Sequence, residues 1–194
     1  MTGDDGLMPD DTALRGRLLV ATPSLREPTF HRTVILLLDH GEAGAVGVVL
    51  NRPSTLDVAA VLPEWHAHVS DPPRLFHGGP VGLDTAMGVV TIPYGSDPSS
   101  EVDRMTGLFG LVDLDAAPES VAPHVGGVRV FAGYAGWGDG QLEAELAERS
   151  WFVVDAVPDD LLTPQPTALW RRVLRRQGGD LAIVSTFAED ASLN

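Results

Sequence analysis

Two almost uninterrupted apolar segments, residues 33–39 and 45–50, lie close together in the chain and constrain its fold more than any other feature. Both are rich in Val, Ile and Leu. The five residues that join them, His40 to Gly44, have the length of a hairpin connection and include two glycines. Strands with such a continuous apolar composition are typical of sheets buried on both faces. The pattern therefore predicts a hairpin of two strands that is covered on both sides.

The rest of the chain reads as many short elements, because 21 Gly and 15 Pro interrupt it frequently. Apolar patterning predicts three helices, at 54–62, 141–149 and 168–177. Further strands are predicted at 17–21, 86–92, 107–114, 128–134, 151–155 and 181–184. Strands and helices do not alternate regularly, which favours an α+β fold over a doubly wound sheet. We expect a mixed sheet of many short strands with three or four short helices.

Two amino acids are missing from the sequence, and their absence excludes whole classes of chemistry. The chain has no Cys, which rules out disulfides, iron–sulfur clusters, thiolate zinc sites and cysteine nucleophiles. It also has no Lys, so all 13 basic residues are Arg. A Walker A loop and a Schiff-base or pyridoxal-phosphate mechanism both need a lysine. His66 and His68 are two apart and have no third ligand near them in the sequence, so no metal site is expected, and no cofactor is expected either.

The charge balance indicates the kinds of partner and the compartment. A formal net charge of −14 disfavours direct binding to nucleic acid or to anionic lipid. Residues 1–13 are acidic, lack apolar periodicity and are expected to form a disordered tail before a single domain over 14–194. They do not resemble a signal peptide, and no apolar run is long enough to span a bilayer. We expect a cytoplasmic protein.

A glycine-rich segment, 133–140, follows one predicted strand and precedes a predicted helix. Such a turn can cradle an anion on free N–H groups, although its spacing misses the dinucleotide fingerprint and its carboxylates disfavour phosphate. The alternative is a purely structural tight turn. Tyr134 and Trp137 flank the segment, where they could stack on a planar ligand or pack in the core.

Two histidines and one arginine cluster are further candidates for function. His40 and His77 could act as general bases, although a structural role is the simpler interpretation for each. Four arginines form a positive stripe on the predicted helix 168–177, where they could dock an acidic partner or nucleic acid, or form a solvated face. The stripe consists of Arg171, Arg172, Arg175 and Arg176.

Several segments, read in order, resemble the YqgE/AlgH family of small bacterial proteins. They are residues 16–23, Phe30, 34–36, His40, 44–47, Asn51-Arg52-Pro53, Gly78-Gly79-Pro80-Val81 and 133–143. The resemblance covers residues 16 to about 155 and implies a compact α+β fold whose strands curl toward a partial barrel. It implies no known reaction. Some members are labelled transcriptional regulators, but the charge and the absence of an evident helix-turn-helix argue against direct DNA binding here.

The leading hypothesis is a non-enzymatic protein that binds a small molecule or a protein partner. Its site is expected where three glycine-containing or strand-end motifs converge, since exposed backbone with a few polar groups is typical of a ligand cleft. Arg52 would contact an anion, Asn51 and Gln141 would orient the ligand, and Tyr134 and Trp137 would form an apolar wall. The complete set is Asn51, Arg52, Gly78, Gly79, Pro80, Tyr134, Gly136, Trp137, Gln141 and Glu143.

Two alternatives remain open. The first is a hydrolase or transferase with His40 or His77 as its base, which a serine or carboxylate close to either histidine would favour. The second is regulation linked to nucleic acid through the stripe Arg171–Arg176, which would require steeply salt-dependent binding.

Overall fold

The computed structural model describes residues 14–188 and shows an α+β fold, as predicted. The expected tail, 1–13, lies outside the described residues. The described strands are β1 (Arg17–Ala21), β2 (Val34–Gly41), β3 (Gly44–Val49), β4 (Pro53–Asp57), β5 (Arg74–His77), β6 (Val81–Thr91), β7 (Val102–Arg104), β8 (Phe109–Val112), β9 (Gly127–Trp137) and β10 (Trp151–Asp155). The helices are α1 (Pro118–Val121), α2 (Gln141–Ala147), α3 (Pro158–Leu162), α4 (Leu169–Gln177) and α5 (Gly179–Val184). Single 3-10 turns span Val58–Ala60, Pro63–Trp65, Ala122–His124 and Pro166–Ala168.

The strands form a curled, half-barrel sheet in the order β10-β1-β2-β3-β9-β6-β8-β7. Strand β9 is central, because it pairs antiparallel with β3 near its end and with β6 along most of its other edge. Strand β5 runs parallel to β9 beside the β3 contact, and β4 pairs with β5. This topology brings the ends of β3 and β5 together beside the middle of β9, which matters for the predicted site.

Alternate residues of the first strands are buried on opposite faces of the sheet, which explains their continuous apolar sequence. On one face, Leu18 and Leu36 pack with the apolar side of α4 in the largest core cluster. On the other face, Leu19 and Ile35 pack in a second cluster, which also contains Leu142 of α2. The predicted covered hairpin is therefore confirmed.

Arg129 of β9 is a buried charge that fastens two loops to the sheet. Its guanidinium donates to the backbone oxygens of Asp71 at 2.5 Å and Thr163 at 3.1 Å, and it lies 4.3 Å from the ring centre of Phe76. Burial lowers the pKa of Arg129 to about 10, while the nearby Asp71 charge opposes that shift. The group therefore remains protonated at neutral pH.

Three local predictions were wrong. Residues 54–57 are extended opposite β5, and the Asp57 side chain caps a single 3-10 turn by accepting the Ala59 N–H at 2.8 Å. The predicted final strand, 181–184, belongs to α5, whose i,i+3 pair Leu181 and Val184 packs against the core. The segment 133–137 is not a turn, because it continues β9 in register with β3.

The described helices are short. The longest, α4, has nine residues, and none of the helices within residues 14–188 is long and apolar enough to cross a bilayer.

Arg149, just after α2, supplies a test of backbone conformation. Its φ is +59°, a left-handed value that favours glycine at the end of a helix. Arg149→Gly should raise the free energy of unfolding by about 0.5–1 kcal/mol, measured by urea denaturation. Glu148→Gly is the matched control, because Glu148 has an ordinary φ of −75° and the change should destabilise the protein. A loss of stability in Arg149→Gly would contradict this account.

Candidate functional site

The motif Asn51-Arg52 holds the loop that leads into β2. Asn51 is buried, and its side chain accepts the N–H of Val34 at 2.9 Å and donates to the carbonyl of Arg32 at 2.8 Å. Arg52 donates from its guanidinium to the carbonyl of His31 at 2.6 Å. Two adjacent side chains at the end of β3 therefore fix the backbone of the neighbouring loop.

The loop so fixed contains a strained residue. Arg32 has a φ of +53°, a left-handed conformation that costs a side-chain-bearing residue about 1 kcal/mol or more. Its guanidinium lies 4.5 Å from the ring centre of Trp170 and donates to the carbonyls of Phe187, at 2.7 Å, and Ala188. The strained backbone thus directs a cation over the aromatic ring of α4.

Helix α4 completes a cavity next to this loop. Trp170 is anchored to the sheet by its indole N–H, which donates to the carbonyl of Ala21 at 2.8 Å, and the next residue, Arg171, faces the same space. We call this space of about 320 Å³ the arginine cavity. Its lining residues are His31, Arg32, Asn51, Arg52, Thr167, Trp170 and Arg171.

The arginine cavity concentrates positive charge in an acidic protein. Three of the 13 arginines line it, although the chain carries a net charge of −14. A guanidinium presents several N–H donors in one plane, which matches the two oxygens of a carboxylate or phosphate. The cavity is therefore chemically suited to a small anion.

Two of the ten predicted site residues, Asn51 and Arg52, line this cavity. The backbones of the other two motifs, 78–80 and 133–143, meet each other and the end of β3. The N–H of Gly78 donates to the carbonyl of Ala132, and the carbonyl of Gly78 accepts the N–H of Val49. The glycines at 78 and 79 are required by packing: a Cβ on Gly79 would stand 2.1 Å from the backbone of Tyr134. Gly78 meets the β9 backbone equally closely, and Pro80 is exposed.

The remaining predicted residues lie along β9 and on α2. Tyr134 is half-buried against the core face that α4 covers, and Gly136 is exposed. Trp137 is buried on the opposite face of the sheet, with Phe30 and Trp151 at ring-centre distances of 6.4 and 6.1 Å. The backbones of the three motifs thus meet, but the two residues of the predicted apolar wall lie on opposite faces of the sheet, and Trp137 is on the face away from the arginine cavity.

One carboxylate organises this aromatic cluster. Oε2 of Glu145 accepts both the Trp137 and Trp151 indole N–H groups, at 2.9 and 2.8 Å. Gln141 donates to Oε1 of Glu145 at 3.0 Å and accepts the N–H of Gly138 at 3.1 Å. These contacts tie the end of β9 to the first turns of α2, so they account for Trp137 and Gln141 structurally.

His40 and Glu143 form the closest pair of titratable groups among the predicted residues. Nε2 of His40 lies 2.8 Å from Oε1 of Glu143, and the His40 side chain is nearly buried while Glu143 is half-exposed. The pKa of the Glu143 carboxyl is lowered, first by its own backbone N–H and then by the hydrogen bond with His40. The other candidate base, His77, has an exposed side chain at the end of β5.

The predicted arginine stripe is divided between two structural tasks. Arg172 donates to Thr163 at 2.7 Å and to the carbonyl of Asp159, and Arg176 makes a two-pronged contact with the buried Asp160 at 2.7 and 2.9 Å. Arg171 faces the arginine cavity, and its guanidinium donates to the carbonyls of Ser185 at 2.7 Å and Phe187 at 3.1 Å. Three of the four guanidinium groups are therefore engaged within the chain.

Sequence reasoning missed the cavity residues His31, Arg32 and Thr167, and it placed Trp170 simply in the core. Arg171 was recognised as part of a charged stripe, but no local pattern links it to a loop near the start of the chain. Within residues 14–188, no group of three or more His, Asp or Glu side chains is arranged to hold a metal ion.

Comparison with known proteins gives concordant matches over nearly the whole chain. A family model described as AlgH-like matches residues 18–182. A UPF0301 protein of Streptomyces coelicolor is 53% identical over 190 residues, which cover 96% of this chain and 98% of that protein. A UPF0301 protein of Thermobifida fusca is 47% identical, with coverage of 95% and 98%.

Two solved structures are similar. The crystal structure of a Corynebacterium diphtheriae protein has a TM-score of 0.86 and 37% identity, and the match covers 93% of this chain and 95% of that one. The solution structure of the AlgH protein from Pseudomonas aeruginosa has a TM-score of 0.67 and 28% identity, with coverage of 98% and 100%.

The contact between His40 and Glu143 can be tested by titration. His40→Phe keeps a ring but removes the hydrogen bond, so the pKa of Glu143 should rise toward its ordinary value. The rise should be partial, because the larger cause, the backbone N–H, remains. A pKa lowered on folding contributes stability that is present above the ordinary carboxyl pKa and lost as pH falls through the lowered one.

The measurement is an NMR titration of the Glu143 carboxyl carbon in the wild type and the variant. His77→Phe is the control, since His77 is exposed on another strand. An unchanged midpoint in His40→Phe would show that the pair does not persist in solution.

Proposed function

The chain belongs to the AlgH-like family of UPF0301 proteins, and from that premise we infer that it is a non-enzymatic binding protein whose ligand is a small anion. The proposed site is the arginine cavity. The ligand class is a small molecule that carries a carboxylate or phosphate group, and the proposed role is regulatory, with binding as the signal.

The observation that carries this proposal is the convergence of Arg32, Arg52 and Arg171 on one cavity, with Arg32 held in a left-handed conformation. Backbone strain persists where the surrounding structure imposes it, and it is concentrated at ligand sites. Here the side chain of Asn51 imposes it through two hydrogen bonds. The cost of the strain is offset by the placement of a cation at the cavity.

The charge of the whole chain supports a small ligand over a polymer. A net charge of −14 repels a nucleic acid, because a polymer extends over much of the acidic surface. For a compact anion inside the cavity, the interaction with the nearest guanidinium groups is the largest electrostatic contribution, since more distant charges are screened. Trp170, whose ring is covered by the Arg32 guanidinium, and Thr167 also line the cavity. The exposed chemistry of the cavity is therefore that of guanidinium groups, which suits a small anion.

Ligand binding also provides a means of regulation. The cavity is lined by the loop before β2, the residues after β3 and the start of α4. An anion that contacts all three guanidinium groups would hold these segments in one arrangement. The signal would then be a population shift among conformations of this part of the surface.

Isothermal titration calorimetry at low ionic strength, with inorganic phosphate and with citrate as probes, tests the site. Arg171→Gln should weaken binding about 10- to 100-fold, since one hydrogen bond to a charged group contributes about 1.5–3 kcal/mol. Arg175→Gln is the matched control, because Arg175 is exposed one helical turn away and does not line the cavity. Equal losses in both variants, or no binding of either anion to the wild type, would refute the proposal.

A second candidate function is a hydrolase or transferase that uses His40 as its base. One observation favours it: the carboxylate of Glu143 lies 2.8 Å from the imidazole, the arrangement by which a carboxylate orients a catalytic histidine. This function predicts hydrolysis of simple carboxylic or phosphoric esters that is lost in His40→Phe and kept in His77→Phe. Equal rates in the wild type and His40→Phe would eliminate it.

A further inference from the structure

Three of the described strands, β4, β7 and β10, pair with a neighbour on one side only, so their other sides are edges of the sheet. Two of these edges have features that discourage further pairing. Strand β7 is only three residues long and includes Asp103 and Arg104, and β4 begins with Pro53 and shifts its register against β5. Strand β10 differs, because it is five residues long, keeps an unbroken register with β1 and is uncharged from Trp151 to Val154. The edge of β10 is therefore the least protected one.

The hydrogen bonds around β10 show which of its backbone groups point away from the sheet. The N–H of Thr22 donates to the carbonyl of Ser150, which makes these two residues a hydrogen-bonded pair of the antiparallel ladder. Such pairs recur at every second residue, so the even-numbered residues of β10 direct their backbone groups toward β1. The odd-numbered residues, Trp151, Val153 and Asp155, direct theirs outward.

The open edge of β10 lies between two covered faces of the sheet. Val153 packs against the cluster that contains Leu142 of α2, Phe152 packs against the cluster that α4 covers, and both side chains remain partly exposed. Within residues 14–188, the one outward backbone group that has a partner is the carbonyl of Asp155, which accepts the guanidinium of Arg176 at 3.0 Å. Outward N–H and C=O groups beside partly exposed apolar side chains are the features with which a further strand pairs.

The pattern at this edge is complementary to itself. Val153 lies at the centre of β10, with one outward-directed residue on each side, at 151 and 155. A second β10 that runs antiparallel across a two-fold axis at Val153 therefore matches N–H to C=O groups at all three positions. This arrangement also matches charge, because it brings the exposed Arg149, just before β10 of one copy, near the exposed Asp155 of the other. A parallel arrangement would bring the two Arg149 side chains together instead.

We propose that β10 is the interface of a symmetric dimer, in which the antiparallel β10 strands of two copies join their sheets into one. The partner is a second copy of this chain. At the two-fold axis, each Val153 donates its N–H to the carbonyl of the other Val153. On both sides of the axis, Trp151 of one copy lies opposite Asp155 of the other. The interface is independent of the proposed anion site, so either can fail without the other.

Sedimentation equilibrium of the full chain tests the dimer. Val153→Pro removes the outward N–H at the centre of the interface and leaves the bonds to β1, because those bonds belong to the neighbouring residues. By symmetry the dimer loses two hydrogen bonds, so its dissociation constant should rise about 10- to 100-fold. Val153→Thr is the matched control, because it keeps the N–H and the β-branched shape and should dimerise nearly as tightly as the wild type.

Two results would overturn the proposal. One is a folded Val153→Pro that dimerises as tightly as the wild type. The other is a wild type that stays monomeric at the highest concentration that remains in solution, which would leave this edge to a strand from a different protein.

A second variant locates the two-fold axis and keeps the proposal testable if Val153→Pro does not fold. The chain has no Cys, so a single introduced cysteine can form a disulfide only between copies. Directly opposed residues of a hydrogen-bonded pair lie about 5.5 Å apart at Cα, which is within the range that a disulfide spans. Val153→Cys should therefore form a covalent dimer under mild oxidation, detected by non-reducing gel electrophoresis. Asp97→Cys, in the exposed loop after β6, is the control, and equal rates of dimer formation in the two variants would contradict the proposed axis.

Discussion

Burial of both faces of the strands β1, β2 and β3 is the constraint on which the rest of the structure depends. A sheet that is apolar on both sides must be covered twice, and the chain does so with α4 on one face and α2 on the other. The position of α4 is fixed further by the indole of Trp170, which donates to the carbonyl of Ala21 at the end of β1. Covering the sheet therefore places Arg171 beside the loop that connects β1 to β2.

Because both faces of the sheet are covered, two motifs that were predicted to form one site serve different faces. Asn51 and Arg52 end a strand on the side of α4, and their side chains bind the loop before β2. Trp137 leaves β9 toward α2, where Glu145 accepts its N–H together with that of Trp151. The three motifs share backbone contacts around Gly78, but their side chains serve different layers of the fold.

Much of the fold was predictable because its signals are local. The strands β1 and β10 have their predicted bounds, and α4 begins one residue after its predicted start, since apolar spacing and Gly178 mark these segments clearly. Residues 54–57 were wrongly predicted as the start of a helix, because Ser54 and Thr55 are residue types that cap helices. In the structure, pairing with β5 holds this segment extended. Residues 181–184 were mistaken for a strand because the segment is too short. Over four residues, the apolar pattern of a strand, with a period of two, cannot be distinguished from that of a helix, with a period of 3.6.

The candidate site was predictable only in part, for a related reason. Asn51 and Arg52 are adjacent in sequence and stand out as a strand-ending motif, so they could be selected without a structure. Arg32 and Arg171 come from distant parts of the chain, and only the packing of α4 against the sheet brings them together. The left-handed backbone of Arg32 has no signature in the sequence, because an arginine is not a residue that favours that conformation.

Arginine is the sole basic side chain of the protein apart from histidine, and the structure uses it repeatedly to bind backbone carbonyls at loops. Arg129 fastens the loops at Asp71 and Thr163, and Arg176 binds the carbonyl of Asp155 as well as Asp160. A guanidinium suits this task because its several donors can satisfy two or three oxygens at once. At the arginine cavity, guanidinium groups bind backbone carbonyls in the same way, but here they also line an open space. The segment 185–188 is held there in the same way, because Arg171 donates to the carbonyls of Ser185 and Phe187 and Arg32 donates to those of Phe187 and Ala188.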